Sequence, residues 1–129
     1  MTAITVGKFE GLHLGHQRLI NETVRLAHEK LLSPVVVTFD PHPRRVLSDP
    51  MYCPLFTYEE RAFIVERMQA DRLASYMFDR DLINMSPAAF CSDLFDRFNV
   101  KVLVLGEGFR FGSGSQELRR SAKDSEWRN

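Results

Sequence analysis

The segment Gly7-Lys8-Phe9-Glu10-Gly11-Leu12-His13-Leu14-Gly15-His16 sets two histidines at the end of a glycine-punctuated turn, where an apolar strand pattern gives way to a helix. Unpaired N–H groups in the first turn of a helix, and the positive end of its dipole, attract phosphate. Gly15 lets a ligand come close to the backbone there. Imidazoles at this place add hydrogen bonds and positive charge where a pentavalent phosphorus centre develops, which is electrostatic stabilisation of a transition state and needs no nucleophile. Taken singly, His13 or His16 is read as readily as a helix cap or a solvated side chain. The whole pattern is what points to phosphate chemistry.

Two further segments share the character of this first one. Thr38-Phe39-Asp40-Pro41-His42-Pro43 closes an apolar strand, at the end where open parallel sheets place their ligand crevices. Its prolines stiffen the turn, and Arg44 and Arg45 add local positive charge. By itself it also fits a rigid exit loop. Gly106-Glu107-Gly108-Phe109-Arg110-Phe111-Gly112-Ser113-Gly114 follows a later strand, and two aromatics flanking an arginine suit a planar ligand. By itself it also fits an aromatic loop folded over the end of the core. It is not a dinucleotide fingerprint, because the glycine spacing is wrong and the loop follows the last clear strand, not the first.

Elements must bring these segments to one place. Ala3 to Val6 reads as a strand, and Leu19, Ile20, Val24, Ala27 and Leu31 form one apolar stripe at helical spacing. Pro34 is expected to stop that helix. Val35 to Phe39 is a β-branched apolar run suited to a strand covered on both faces. Thr57 and Glu60 stand at capping-box spacing before Phe63, Ile64 and Met68, predicting a second helix that ends near Ala70. Leu73 to Phe78 is a weaker strand. Ser86-Pro87 supplies a capping hydroxyl and a first-turn proline before the Phe90, Leu94, Phe98 stripe of a third helix. Lys101 to Leu105 is the last clear strand, a further helical segment is expected near Ser115, and the polar stretch from Ser121 to Asn129 is expected to fray. Alternating strands and helices define an α/β fold with a parallel sheet and crossover helices.

Bulk properties limit the partners. The chain has 129 residues, 44% of them hydrophobic, enough for one core and one domain spanning residues 1–129. Seventeen basic residues balance seventeen acidic ones, so no overall field steers the chain to nucleic acid or membrane, and a polyanion must be held locally. Cys53 and Cys91 lack metal-ligand spacing and are expected to be reduced and buried, with no metal site. Neither a leader nor a membrane-length apolar run is present in this sequence, so the expected location is the cytoplasm.

The His-x-Gly-His element resembles the signature of the nucleotidylyltransferase superfamily. With the Asp-Pro-His-Pro and Phe-Arg-Phe segments in this order, the stretch from about Ile4 to Gly114 resembles the flavin mononucleotide adenylyltransferase module of bifunctional bacterial FAD synthetases. That resemblance implies a Rossmann-like domain transferring AMP from ATP to FMN, giving FAD and pyrophosphate, with Mg2+ as the phosphate counter-ion. It implies that His13 and His16 hold the ATP phosphates, with Gly7, Lys8, Phe9, Glu10, Gly11 and Gly15 forming the nucleotide pocket. Thr38, Pro41, His42 and Pro43, with Phe109, Arg110, Phe111 and Gly112, line the flavin side. Two positions depart from the pattern: Glu10 stands where the family usually has Asp, and Gly108 where it usually has Asp or Asn. The family's later Ser-Ser-Thr-x-x-Arg phosphate segment and its riboflavin kinase domain are absent from this sequence, so a C-terminally truncated module is expected. A non-catalytic remnant that binds flavin or adenine nucleotide is the alternative. An adenylyltransferase acting on a pantetheine or nicotinamide nucleotide would share only the first motif.

Overall fold

The computed structural model describes residues 1–9, 14–40, 51, 56–106 and 126–128. Strand β1 (Thr2–Val6) leads into helix α1 (Leu14–Lys30), and strand β2 (Ser33–Asp40) precedes helix α2 (Tyr58–Arg67) and strand β3 (Arg72–Met77). A short helix α3 (Arg80–Ile83), helix α4 (Pro87–Phe98), strand β4 (Val100–Val104) and strand β5 (Glu126–Arg128) follow. The sheet order is β3-β2-β1-β4-β5 and every pairing is parallel, with Ile4 opposite Val35 and Leu103. This is the parallel α/β arrangement that the alternation of patterns predicts, and it is Rossmann-like, as the resemblance implies.

Alternate residues of the central strands serve the two faces of the sheet, as strand geometry requires. On one face Ala3, Val36, Val102 and Val104 meet Ile20, Leu26 and Ala27 of α1 and Val65 of α2. On the other, Ile4, Val35, Val37, Phe39 and Leu103 meet Phe90, Leu94 and Phe98 of α4. Residues Val35 to Phe39 are buried throughout, which is why that strand reads as a continuous apolar run.

The predicted caps are present. The Thr57 hydroxyl accepts from the Glu60 amide at 3.1 Å while Glu60 Oε1 accepts from the Thr57 amide at 2.9 Å. Ser86 Oγ accepts from the Ala89 amide, with Pro87 in the first turn of α4. Cys91 is free and buried; Cys53 lies outside the described residues.

Four local expectations are corrected. Pro34 does not stop α1. The helix ends at Lys30, Leu31 turns left-handed at φ 58°, the Leu32 amide bonds the Ala27 carbonyl at 2.7 Å, and Pro34 is already inside β2. This is a Schellman-type end built on leucine instead of glycine. Leu31 is therefore 93% exposed, off the stripe that its spacing suggested. Phe63 is 63% exposed, because α2 turns Arg61 and Val65 inward, and the Arg67 guanidinium lies 5.9 Å from the Phe63 ring. Residues Glu126–Arg128 pair with β4 as a strand instead of fraying. The segments around Ser115 and Arg44-Arg45 lie outside the described residues.

Candidate active site at the C-terminal edge of the sheet

In a parallel sheet all strands end on the same edge, and here the order reverses between β1 and β4, the place where ligand crevices open in this architecture. Gly7, just beyond β1, Asp40, the last residue of β2, and Gly106, just beyond β4, all stand on that edge. Each of the three motif segments therefore leaves the sheet there.

The first segment is built tightly. The Gly7 amide bonds the Val37 carbonyl at 3.0 Å, continuing the β1–β2 pairing one residue past the strand. Phe9 is 1% exposed and left-handed at φ 48°. Its ring folds back over Gly7, where an added Cβ would come within 3.1 Å of it, so a side chain there would have to push the ring aside. The same ring meets His16 edge-on, with centroids 5.1 Å apart and planes at 70°. His16 is half-buried in the first turns of α1, edge-on to Phe9. Gly15 is exposed beside it, and the first turn of α1 carries no acidic residue. A cavity of about 320 Å³ opens at this helix start, lined by Leu14, Gly15, Gln17, Arg18 and Asn21. Positive dipole end, exposed glycine and Arg18 make it suited to an anion.

Thr38 is fully buried, and its hydroxyl donates to the Lys8 carbonyl at 3.0 Å. Arg61 Nη1 donates to the same carbonyl at 3.1 Å and to Thr38 Oγ1 at 3.3 Å. Side chains from β2 and α2 thereby converge on one peptide group in the turn after β1. Gly106 comes close to α1, since a Cβ there would lie 3.3 Å from Leu19.

Of the residues that the motifs single out, Gly7, Lys8, Phe9, Gly15, His16 and Thr38 are brought together on this edge. Glu10, Gly11, His13, Pro41, His42, Pro43, Phe109, Arg110, Phe111 and Gly112 lie outside the described residues. Arg61 and Arg18 are absent from the motif residues. A signal for Arg61 exists: with Tyr58, Val65 and Met68 it repeats at helical spacing, which puts a charged side chain on the inward stripe of α2.

A five-stranded parallel sheet with helices on both faces, and a glycine-marked helix start at the strand-order reversal, defines an α/β protein of the Rossmann-like class. The family model for FAD synthetase matches residues 1–126, and the chain belongs to that family. A bifunctional riboflavin kinase/FMN adenylyltransferase of Bacillus subtilis is 30% identical over 125 residues, covering 95% of this chain and 40% of that protein. One from Listeria monocytogenes is 30% identical over 128 residues, covering 97% and 41%. The chain thus spans about two fifths of the length of these relatives. A solved structure described as a macrolide-efflux protein from Streptococcus pneumoniae superposes with a TM-score of 0.83 at 24% identity, over 98% of this chain and 44% of that one. At that identity it speaks for the fold alone. No helix among the described residues is long and apolar enough to cross a membrane.

Proposed function

We propose that this chain is an FMN adenylyltransferase domain, which transfers AMP from ATP to FMN and releases FAD and pyrophosphate. An oxygen of the FMN phosphate attacks the α-phosphorus of ATP. A new P–O bond forms, the bond from the α-phosphorus to the bridging oxygen breaks, and pyrophosphate leaves with that electron pair. A phosphate monoester, with a second pKa of about 6, is already an anion at neutral pH, so no side-chain base is required. Positioning and charge stabilisation do the catalytic work.

His13 and His16 are assigned to the ATP phosphates, and Gly7, Lys8, Phe9, Glu10, Gly11 and Gly15 to the nucleotide pocket. Thr38, Pro41, His42 and Pro43 are assigned to the flavin side with Phe109, Arg110, Phe111 and Gly112. ATP enters as its magnesium complex, in which the ion offsets charge on the phosphate oxygens. The partners in this reading are small molecules, with neither nucleic acid nor membrane, in a cytoplasmic setting.

The observation that carries this reading is the convergence of the Gly7 turn, the α1 start with its edge-on His16, and the end of β2 beside the strand-order reversal. Membership of the FAD synthetase family and the activity for which the Bacillus and Listeria relatives are named support it.

The test is FAD and pyrophosphate production from FMN, ATP and magnesium, set against a His13→Ala, His16→Ala double variant. The expected result is turnover that falls by at least about 100-fold in the double variant. A parent chain that quenches FMN fluorescence yet forms no FAD would refute the catalytic assignment and leave a flavin-binding remnant.

A further inference from the structure

Arg61 is 3% exposed, although it is a cation on a helix whose outer face is open to water. Burying a guanidinium is costly where its N–H groups lack acceptors, so the acceptors it does find matter. Nη1 finds two on the candidate site, the Lys8 carbonyl at 3.1 Å and Thr38 Oγ1 at 3.3 Å. The guanidinium also lies over the Tyr58 ring, 5.9 Å to the centroid. Tyr58 is itself tied to β3, its hydroxyl donating to the Leu73 carbonyl at 2.9 Å. Arg61 is thus anchored from α2 and β3 and reaches into the turn that leaves β1.

The Lys8 carbonyl receives two donors, Thr38 and Arg61. The residue that follows it, Phe9, is in the left-handed region, which a bulky residue occupies only where its surroundings hold it. Phe9 in turn meets the His16 ring edge-on.

We propose that Arg61 is a positioning residue of the site: clamping the Lys8 peptide to Thr38 fixes Phe9, and through Phe9 the ring of His16. The clamp joins the turn assigned to the nucleotide with the strand end assigned to the flavin, from 53 and 23 residues away in sequence. The catalytic consequence rests on the adenylyltransferase reading, whereas the structural link from Arg61 to His16 does not.

Two variants of the full chain test it, Arg61→Met, which keeps length without charge, and Arg61→Lys, which keeps charge but replaces a fixed fork of five donors by three rotatable ones. The first readout is the NMR signals of the His16 ring, which feel the ring current of Phe9. In Arg61→Met these signals shift, with far-UV circular dichroism unchanged, and Arg61→Lys returns them part of the way. The second readout is FAD formation, where a misplaced site lowers kcat by about 100-fold in Arg61→Met, more than it raises either KM, and Arg61→Lys recovers about tenfold of that. His16 signals that stay at their parent positions in folded Arg61→Met overturn the proposal, whether or not turnover is lost. Shifted signals with kcat within about twofold of the parent overturn the catalytic part. If the parent makes no FAD, the adenylyltransferase reading fails while the His16 signals still decide the positioning link.

Discussion

Replacing Thr38 separates the hydrogen bonds at the heart of the site from the packing around them. Valine fills nearly the same volume and removes the hydroxyl; serine keeps the hydroxyl and removes a methyl. The Thr38 hydroxyl is fully buried, donates to the Lys8 carbonyl at 3.0 Å and accepts from Arg61 Nη1 at 3.3 Å. The first bond joins neutral groups and contributes about 1 kcal/mol. The second has a charged donor but is long, which places it near the low end for such bonds, at about 1.5 kcal/mol. The two share one oxygen and one neighbour, so their sum is an upper bound, and Thr38→Val is expected to cost about 2 kcal/mol. The Lys8 carbonyl keeps Arg61 as a donor, so no orphaned acceptor adds to that. Thr38→Ser leaves both bonds and forfeits one buried methyl, about 1 kcal/mol. For a chain of 129 residues the melting temperatures should fall by about 8 °C for valine and about 4 °C for serine. Urea unfolding followed by circular dichroism gives the same order with an unchanged m-value. Serine proving as costly as valine, or costlier, would show that packing and not the Lys8–Thr38–Arg61 network stabilises this edge.

Two further outcomes follow from single residues. Leu31→Gly should raise the melting temperature by about 3–5 °C, because Leu31 is left-handed and 93% exposed, so about 1 kcal/mol of backbone strain is relieved with little packing lost; no rise in a thermal melt would count against strain at the end of α1. Tyr76 is held protonated beyond its usual value of 10.0, first by burial and then by the hydrogen bond it donates to Asp93 at 2.6 Å. The folded state therefore keeps this proton to higher pH than the unfolded chain does, so its contribution is complete below about pH 10 and is lost as the pH climbs further. Urea melts between about pH 9.5 and 11.5 should show a shallower alkaline loss in Tyr76→Phe than in the parent, and parallel slopes would refute the assignment.

Much of the scaffold is legible along the chain because it is encoded locally. The Thr57–Glu60 box and the Ser86-Pro87 start need only residues within one helical turn, and both form as their spacing predicts. The β-branched run from Val35 to Val37, continued by Thr38 and Phe39, can only be satisfied by cover on both faces, which is what α1, α2 and α4 provide. Periodicity misled where it continued past the element that carried it. Leu31 keeps the α1 spacing but lies in the turn after the helix, and Phe63 adjoins an inward stripe that the rotation of α2 gives to Arg61 and Val65.

The site divides along the same line. Residue types and spacing alone placed His13 and His16 in a glycine-marked turn that leads toward a helix, with stiff and aromatic segments after later strands. Tertiary structure alone decided that Gly7, Thr38 and Gly106 share one edge, because only the parallel order β3-β2-β1-β4-β5 puts the ends of β1, β2 and β4 side by side. It alone decided that the Thr38 hydroxyl is committed to the Lys8 carbonyl and that a buried arginine from α2 completes the contact. Helical spacing with Tyr58, Val65 and Met68 puts Arg61 on the inward stripe of α2 but does not name its partners. The two acceptors of its Nη1 lie 53 and 23 residues away, and only folding brings them within reach.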